Sequence, residues 1–106
     1  DETHVRANRE LYRQKFAAVL KILEGTLDVR MPDAGFYLWP RTPGDDTDFA
    51  RGLFAQQNVT VVPGSYLSRD AHGGNPGRNH VRIALVPPLE DCIDAAQRIR
   101  AYAESL

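Results

Sequence analysis

The stretch NHVRIALVPP, at residues 79–88, decides how the second half of the chain folds. Residues 80–86 are largely apolar and β-branched, which predicts a buried strand. The two prolines that follow end the strand and begin a helix, because proline suits the first helical position. Apolar residues then share one face of that helix at Leu89, Cys92, Ile93, Ala96, Ile99 and Ala103.

Toward the N-terminus, residues 2–24 predict a long amphipathic helix. Their apolar side chains recur with the 3.6-residue period of a helix, and Gly25 is a natural C-terminal stop. Residues 26–31 and 36–39 are rich in β-branched and aromatic side chains and flank a turn-like sequence at 32–35. This composition predicts two short antiparallel strands.

The middle of the chain predicts a second helix, a third strand and a long loop. Several N-cap residues at 43–47 precede a helical pattern that ends near Gln57, and residues 58–62 follow as a strand. Residues 63–79 are rich in glycine and proline and predict an irregular loop. The order α-β-β-α-β-β-α predicts the α+β class, with a small mixed or antiparallel sheet and helices packed on it.

Composition limits the kind of protein. A chain of 106 residues fits one domain, and 13 basic against 14 acidic residues give no electrostatic footprint for nucleic acid or an anionic membrane. No apolar run is long enough to span a bilayer. The single cysteine, Cys92, favours a reducing, cytoplasmic location. The chain begins inside a helical pattern without Met, so we expect it to be a fragment.

Arg82 is the first candidate functional residue, because it stands in the middle of the apolar strand 80–86. An unpaired buried charge is costly, so an anion should meet it. One interpretation is an internal Asp or Glu partner, or a solvent-facing position on an edge strand. The other is a bidentate contact with a substrate carboxylate, which a planar guanidinium makes better than lysine does.

Three segments together carry a resemblance to a known family. PDAGFYLW at 32–39, NVTVVPGSYL at 58–67 and VRIAL at 81–85 stand in the order and spacing of the C-terminal part of class I/II, fold type I aminotransferases. The residues GGNPG at 73–77 add a likeness to bacterial succinyldiaminopimelate aminotransferases. The resemblance implies that residues 1–106 form the C-terminal small domain, without the large domain that binds the cofactor.

The resemblance also implies roles for individual residues. Arg82 matches the arginine that binds the α-carboxylate of the amino-acid substrate, and Gly35 matches a glycine where a side chain would crowd the substrate. Gly35 also reads as an ordinary turn glycine with positive φ. Ser65, after a strand that leads toward the cleft, reads more simply as a turn serine with a local backbone hydrogen bond.

The long loop predicts a second contact with substrate. Arg69, His72, Asn75, Arg78 and Asn79 lie close in sequence to Arg82 and could hold a distal anionic group, such as a succinyl carboxylate. A charged loop of this kind is also typical of a solvated surface.

The family's cofactor is pyridoxal 5'-phosphate (PLP), bound as a Schiff base to a lysine. The only lysines are Lys15 and Lys21, and both read as solvated charges on the first helix. No catalytic residue, cofactor-binding residue or metal site is therefore expected here. The resemblance implies that the large domain of the same chain holds PLP.

The function implied for the parent protein is transamination between N-succinyl-LL-2,6-diaminopimelate and 2-oxoglutarate, in lysine and diaminopimelate biosynthesis. The parent would be a homodimer that acts on small amino and keto acids, and the fragment alone would be inactive. The alternative is a small non-catalytic module that binds an anion or amino acid for regulation.

Overall fold

The computed structural model describes residues 2–29, 37–67 and 74–106. Its helices are α1 (Glu2–Leu23), α2 (Asp46–Gln57), the single turn α3 (Gly64–Leu67) and α4 (Leu89–Glu104). Its strands are β1 (Tyr37–Leu38), β2 (Val62–Pro63) and β3 (Val81–Ala84). Helices packed on a small antiparallel sheet confirm the predicted α+β class.

The helix ends follow local sequence signals. Gly25, with φ of 78°, stands just beyond α1, where glycine adopts the left-handed conformation without cost. At the start of α2, the Asp45 carboxylate accepts a hydrogen bond from the Asp48 N–H at 3.0 Å. At its end, Asn58 has φ of 55° and donates its backbone N–H to the Phe54 carbonyl at 3.0 Å. The predicted ends near residues 25 and 57 are confirmed.

The sheet places β3 in the centre, in the order β1-β3-β2, with both pairings antiparallel. Leu38 of β1 lies opposite Ile83, and Val62 of β2 lies opposite Arg82. Beyond the strand ends, Arg41 forms single antiparallel bridges with Asp28 on one side and with His80 on the other. The central strand is thus held on both sides.

The strands are shorter than predicted. Of residues 26–31, Asp28 alone joins the sheet within the described part of the chain, and residues 30 and 31 lie outside it. Residues 58–61 approach the core at Val61 but have no strand partner. The predicted loop 63–79 begins with Pro63 of β2 and the helical turn α3 instead of irregular chain. No helix among the described residues is long and apolar enough to cross a bilayer.

The core lies between the sheet and helices α1, α2 and α4. The rings of Phe49 and Tyr102 meet edge to face, with centroids 5.2 Å apart. Gly52 makes this contact possible, because a Cβ there would lie 1.8 Å from the Tyr102 hydroxyl oxygen. The fully buried leucine, isoleucine and valine side chains of the core are those of Val19, Leu23, Leu38, Leu53, Val81, Leu85 and Ile99.

Two arginines of α4 bind the ends of other helices. Arg98 Nη1 donates to the carbonyl of Gln57, the last residue of α2, at 2.9 Å. Arg100 Nη1 donates to the carbonyl of Ile22, in the last turn of α1, at 3.2 Å. Each arginine also pairs with a carboxylate one turn away on α4. Carbonyls that lack partners within their own helices are thereby satisfied.

Candidate functional site

The two faces of the sheet differ in what covers them. Val81 and Ile83 of β3 are buried in the core, whereas Arg82 is half-buried and Ala84 is exposed. Since alternate residues of a strand point to opposite faces, Arg82 and Ala84 share the other face. The register adds Val62 and Tyr37, which lie opposite Arg82 and Ala84 respectively. We call the surface formed by these four residues the open face.

The Arg82 guanidinium lies on the ring of Tyr37, with its Cζ atom 4.4 Å from the ring centroid. No carboxylate pairs with the guanidinium, and no acceptor bonds it, within residues 2–29, 37–67 and 74–106. Because β3 is the central strand, Arg82 is not on an edge. The ring covers one flat side of the guanidinium and leaves its in-plane N–H donors available for an anion.

The other predicted site residues are distributed unevenly. Gly35, Arg69 and His72 lie outside the described residues. Arg78 is exposed, and its carbonyl contacts Nδ1 of His80 at 3.0 Å. It therefore offers a cationic side chain at the surface, four residues before Arg82.

The two loop asparagines help to order the backbone, Asn75 through its side chain and Asn79 through its main chain. Asn75 donates its side-chain N–H to the Ser65 carbonyl at 2.8 Å and accepts from the Gly77 N–H at 2.9 Å. Asn79 has φ of 65°, and its carbonyl accepts from the Thr42 N–H at 2.7 Å. These contacts order the end of the loop just before β3.

Asp46, which the sequence interpretation passed over as one of several N-cap candidates, is the most buried acid of the described chain at 1% exposure. Its Oδ2 accepts from the backbone N–H and the hydroxyl of Ser65, at 2.9 and 2.7 Å. Its Oδ1 accepts from the backbone N–H of Asn79 at 3.3 Å. Burial raises the pKa of the carboxyl group, but these hydrogen bonds outweigh burial, so its pKa lies below the usual value.

The interpretation of Ser65 as a turn serine with a local backbone bond is wrong. Its hydroxyl donates to a carboxylate 19 residues away in the sequence. The turn residues after β2 are thereby attached to the first turn of α2. Sequence composition alone could not reveal a partner at that separation.

Comparison with known proteins identifies the family. Residues 1–99 match the model of the family described as aminotransferase class I and II. The chain belongs to this family. The resemblance drawn from the three sequence segments is confirmed at this level.

The most similar proteins include two solved aminotransferases. A crystal structure from Neisseria meningitidis is 48% identical with a TM-score of 0.91, over 95% of this chain and 26% of that one. A probable N-succinyldiaminopimelate aminotransferase from Thermus thermophilus is 36% identical with a TM-score of 0.78, over 96% of this chain and 26% of the Thermus chain. An LL-diaminopimelate aminotransferase from Maridesulfovibrio salexigens is 28% identical over 92% of this chain and 24% of its own length. The chain spans about a quarter of the length of each.

The described residues do not fit the family's cofactor. Lys21 is exposed on α1, as predicted, but the prediction that Lys15 is solvated is wrong. Lys15 is 3% exposed, donates to the Val86 carbonyl at 3.3 Å, and lies 4.9 Å from the centroid of the Tyr12 ring. Its ammonium group thus links α1 to Val86, which lies two residues beyond β3. Neither lysine belongs to the open face that carries Arg82.

Proposed function

We propose that this chain is the C-terminal small domain of a PLP-dependent aminotransferase and that it supplies Arg82 to bind the α-carboxylate of the substrate. The observation that carries the proposal is the Arg82 guanidinium on the open face, with the Tyr37 ring on one side and no anionic partner among the described residues. The large domain of the same protein would hold PLP. The complete protein would be a homodimer.

A guanidinium suits this task because it donates two parallel hydrogen bonds to one carboxylate. Arg82 lies on the central strand, so its Cα is held by pairing on both sides. A carboxylate bound there keeps a fixed direction relative to the sheet, which orients the amino-acid carbon for reaction. Gly35, outside the described residues, would leave room for the substrate beside it.

For the substrate, we propose N-succinyl-LL-2,6-diaminopimelate, with glutamate and 2-oxoglutarate as the second pair. The likeness to the Thermus protein supports it, and the likeness to the Maridesulfovibrio protein supports the form without the succinyl group. The succinylated substrate carries one additional distal carboxylate, and a neutral amide replaces the distal ammonium group of the other substrate. Arg78, exposed on the ordered loop end that includes Asn79, is the proposed partner of that carboxylate.

The test measures steady-state transamination by the full-length protein supplied with PLP, using N-succinyl-LL-2,6-diaminopimelate and LL-2,6-diaminopimelate in turn as amino donors to 2-oxoglutarate. Loss of a charged hydrogen-bond pair is worth about 1.5–3 kcal/mol, so Arg82→Ala should raise KM about 10-fold to 150-fold for both donors. Arg82→Lys should recover only part of this, because lysine cannot make the bidentate contact.

Arg78→Ala tests the choice of substrate. It should raise KM for the succinylated donor and leave KM for the other unchanged. Equal effects on both donors would contradict the distal contact, and turnover of the unsuccinylated donor alone would exclude the succinylated substrate. Absence of transamination with every donor, together with carboxylate binding that depends on Arg82, would instead indicate the regulatory module.

A further inference from the structure

The buried carboxylate of Asp46 joins the two strands that meet at Arg82. Ser65, which it binds through two hydrogen bonds, lies two residues after β2. Asn79, which it binds through the backbone N–H, lies two residues before β3. These strands pair with Val62 opposite Arg82. One side chain on α2 therefore holds both chain segments at the end of the ladder that contains Arg82.

The junction between these strands is tightly packed, and one of its residues has a positive φ. The Gly64 N–H donates to the His80 carbonyl at 2.7 Å, and a Cβ on Gly64 would lie only 2.2 Å from the Gly77 carbonyl oxygen. Asn79 adopts φ of 65°, in the left-handed region that most L-residues avoid and that asparagine enters more readily. The Asp46 carboxylate is one of the groups that hold Asn79 in this conformation.

The direction of the Arg82 side chain depends on where β3 begins. A strand that slips by one residue turns every side chain to the opposite face of the sheet. Asn79 lies three residues before Arg82, so its backbone conformation sets the start of the strand and the placement of the guanidinium. A carboxylate is well suited to hold the Asn79 backbone, because hydrogen bonds to charged groups are stronger than those between neutral groups.

We propose that Asp46 is a positioning residue for substrate binding, which acts by holding Ser65 and Asn79 and thereby aims Arg82 from the open face. The inference rests on the proposed function of Arg82. The proposed role gives Asp46 no direct contact with substrate or cofactor. Its effect should appear as weaker binding of the substrate carboxylate, with little change in turnover once substrate is bound.

The experiment compares Asp46→Asn with Asp45→Asn in the full-length protein supplied with PLP. Asp45 is the matched control, because it is the neighbouring acid and caps α2 through Asp48 without contacting Ser65 or Asn79. Asp46→Asn should raise KM for glutamate about 5-fold to 20-fold with kcat within about 2-fold, as misplacement of a binding group predicts. Asp45→Asn should leave both constants within about 2-fold.

A double-mutant cycle separates positioning from general destabilisation. In an Arg82→Ala background, Asp46→Asn should raise KM no further, because the group that it positions is gone. An equal rise in both backgrounds would overturn the inference, as would an unchanged KM in Asp46→Asn. If Asp46→Asn does not fold, Ser65→Ala takes its place, because it removes only one of the three hydrogen bonds to Asp46. Ser65→Ala should raise KM about 2-fold to 5-fold, and an unchanged KM would overturn the inference.

The two proposals fail in different ways. A wild-type protein that transaminates, and loses binding in Arg82→Ala but not in Asp46→Asn, retains the proposed function and overturns only the role of Asp46. A wild-type protein that transaminates no amino acid overturns both.

Discussion

Replacing Tyr37 tests whether an aromatic ring helps to hold the substrate-binding arginine. The Arg82 Cζ atom lies 4.4 Å from the centroid of the Tyr37 ring, and the tyrosine is 36% exposed. A cation over an aromatic ring gains about 0.5–1 kcal/mol when exposed and about 2 kcal/mol when water is excluded. Tyr37→Leu should therefore raise KM for glutamate about 2-fold to 30-fold, the larger value applying if substrate binding excludes water from the open face.

The control variant is Tyr37→Phe, which keeps the ring face and removes only the hydroxyl. It should stay within about 2-fold of wild type, since the attraction comes from the ring. The assay is steady-state transamination by the full-length protein, with kcat and KM separated for each variant and repeated in an Arg82→Ala background. Equal losses in the leucine and phenylalanine variants, or a leucine effect that persists without Arg82, would refute the reasoning.

Three further predictions concern stability of the domain, measured by denaturation of each variant beside wild type. The free energy of unfolding of Lys15→Met should stay within about 1 kcal/mol of wild type, because an apolar side chain of similar length can replace a buried charge. Lys15→Ala should lower it by about 2 kcal/mol through lost packing. A greater loss in the methionine variant than in the alanine variant would contradict this prediction. Gly52→Ala should lower the free energy of unfolding by about 1–3 kcal/mol, because the new methyl group meets Tyr102, even though alanine has the better helix propensity. Adding Tyr102→Phe should recover part of that loss. A rise in Tm in Gly52→Ala would show that the contact relaxes freely. The pKa of Asp46 is lowered from its ordinary value of 3.8, so its carboxylate stabilises the fold above that pH, and this stability is lost as the pH falls through the lower pKa of the folded state. The free energy of unfolding below about pH 5 should therefore depend less on pH in Asp46→Asn than in wild type. Identical pH profiles of the two proteins would contradict this prediction.

The long helices could be predicted from the sequence because their information is local. The period of apolar residues over α1 and α4, and the capping residues around α2, lie within a few positions of the elements they define. The burial of Lys15 was also readable. It precedes Val19 and Leu23 at intervals of four residues, so it shares their buried face. The charge of lysine predicts solvent exposure, but the spacing predicts burial, and the spacing is the better guide here.

The strand lengths and the role of Asp46 were not readable in the same way. Strands of two residues offer too little alternation to locate their ends, and α3 interrupts a stretch whose glycine and proline content predicts a loop. Asp45 and Asp46 are adjacent and chemically alike. Their difference arises from partners 19 and 33 residues away, which only the packed structure brings to Asp46.

The arginines of α4 have a consequence for how the domain is made in a cell. Arg100 binds a carbonyl of α1 that was synthesised 78 residues earlier, and α4 covers the side of α1 that carries Val19 and Leu23. At about 5–20 residues per second, a ribosome needs roughly 4–16 s to reach Arg100 after adding Ile22. Throughout that interval the apolar face of α1 lacks its cover. A translational pause before α4 would lengthen the exposure and favour aggregation or chaperone binding.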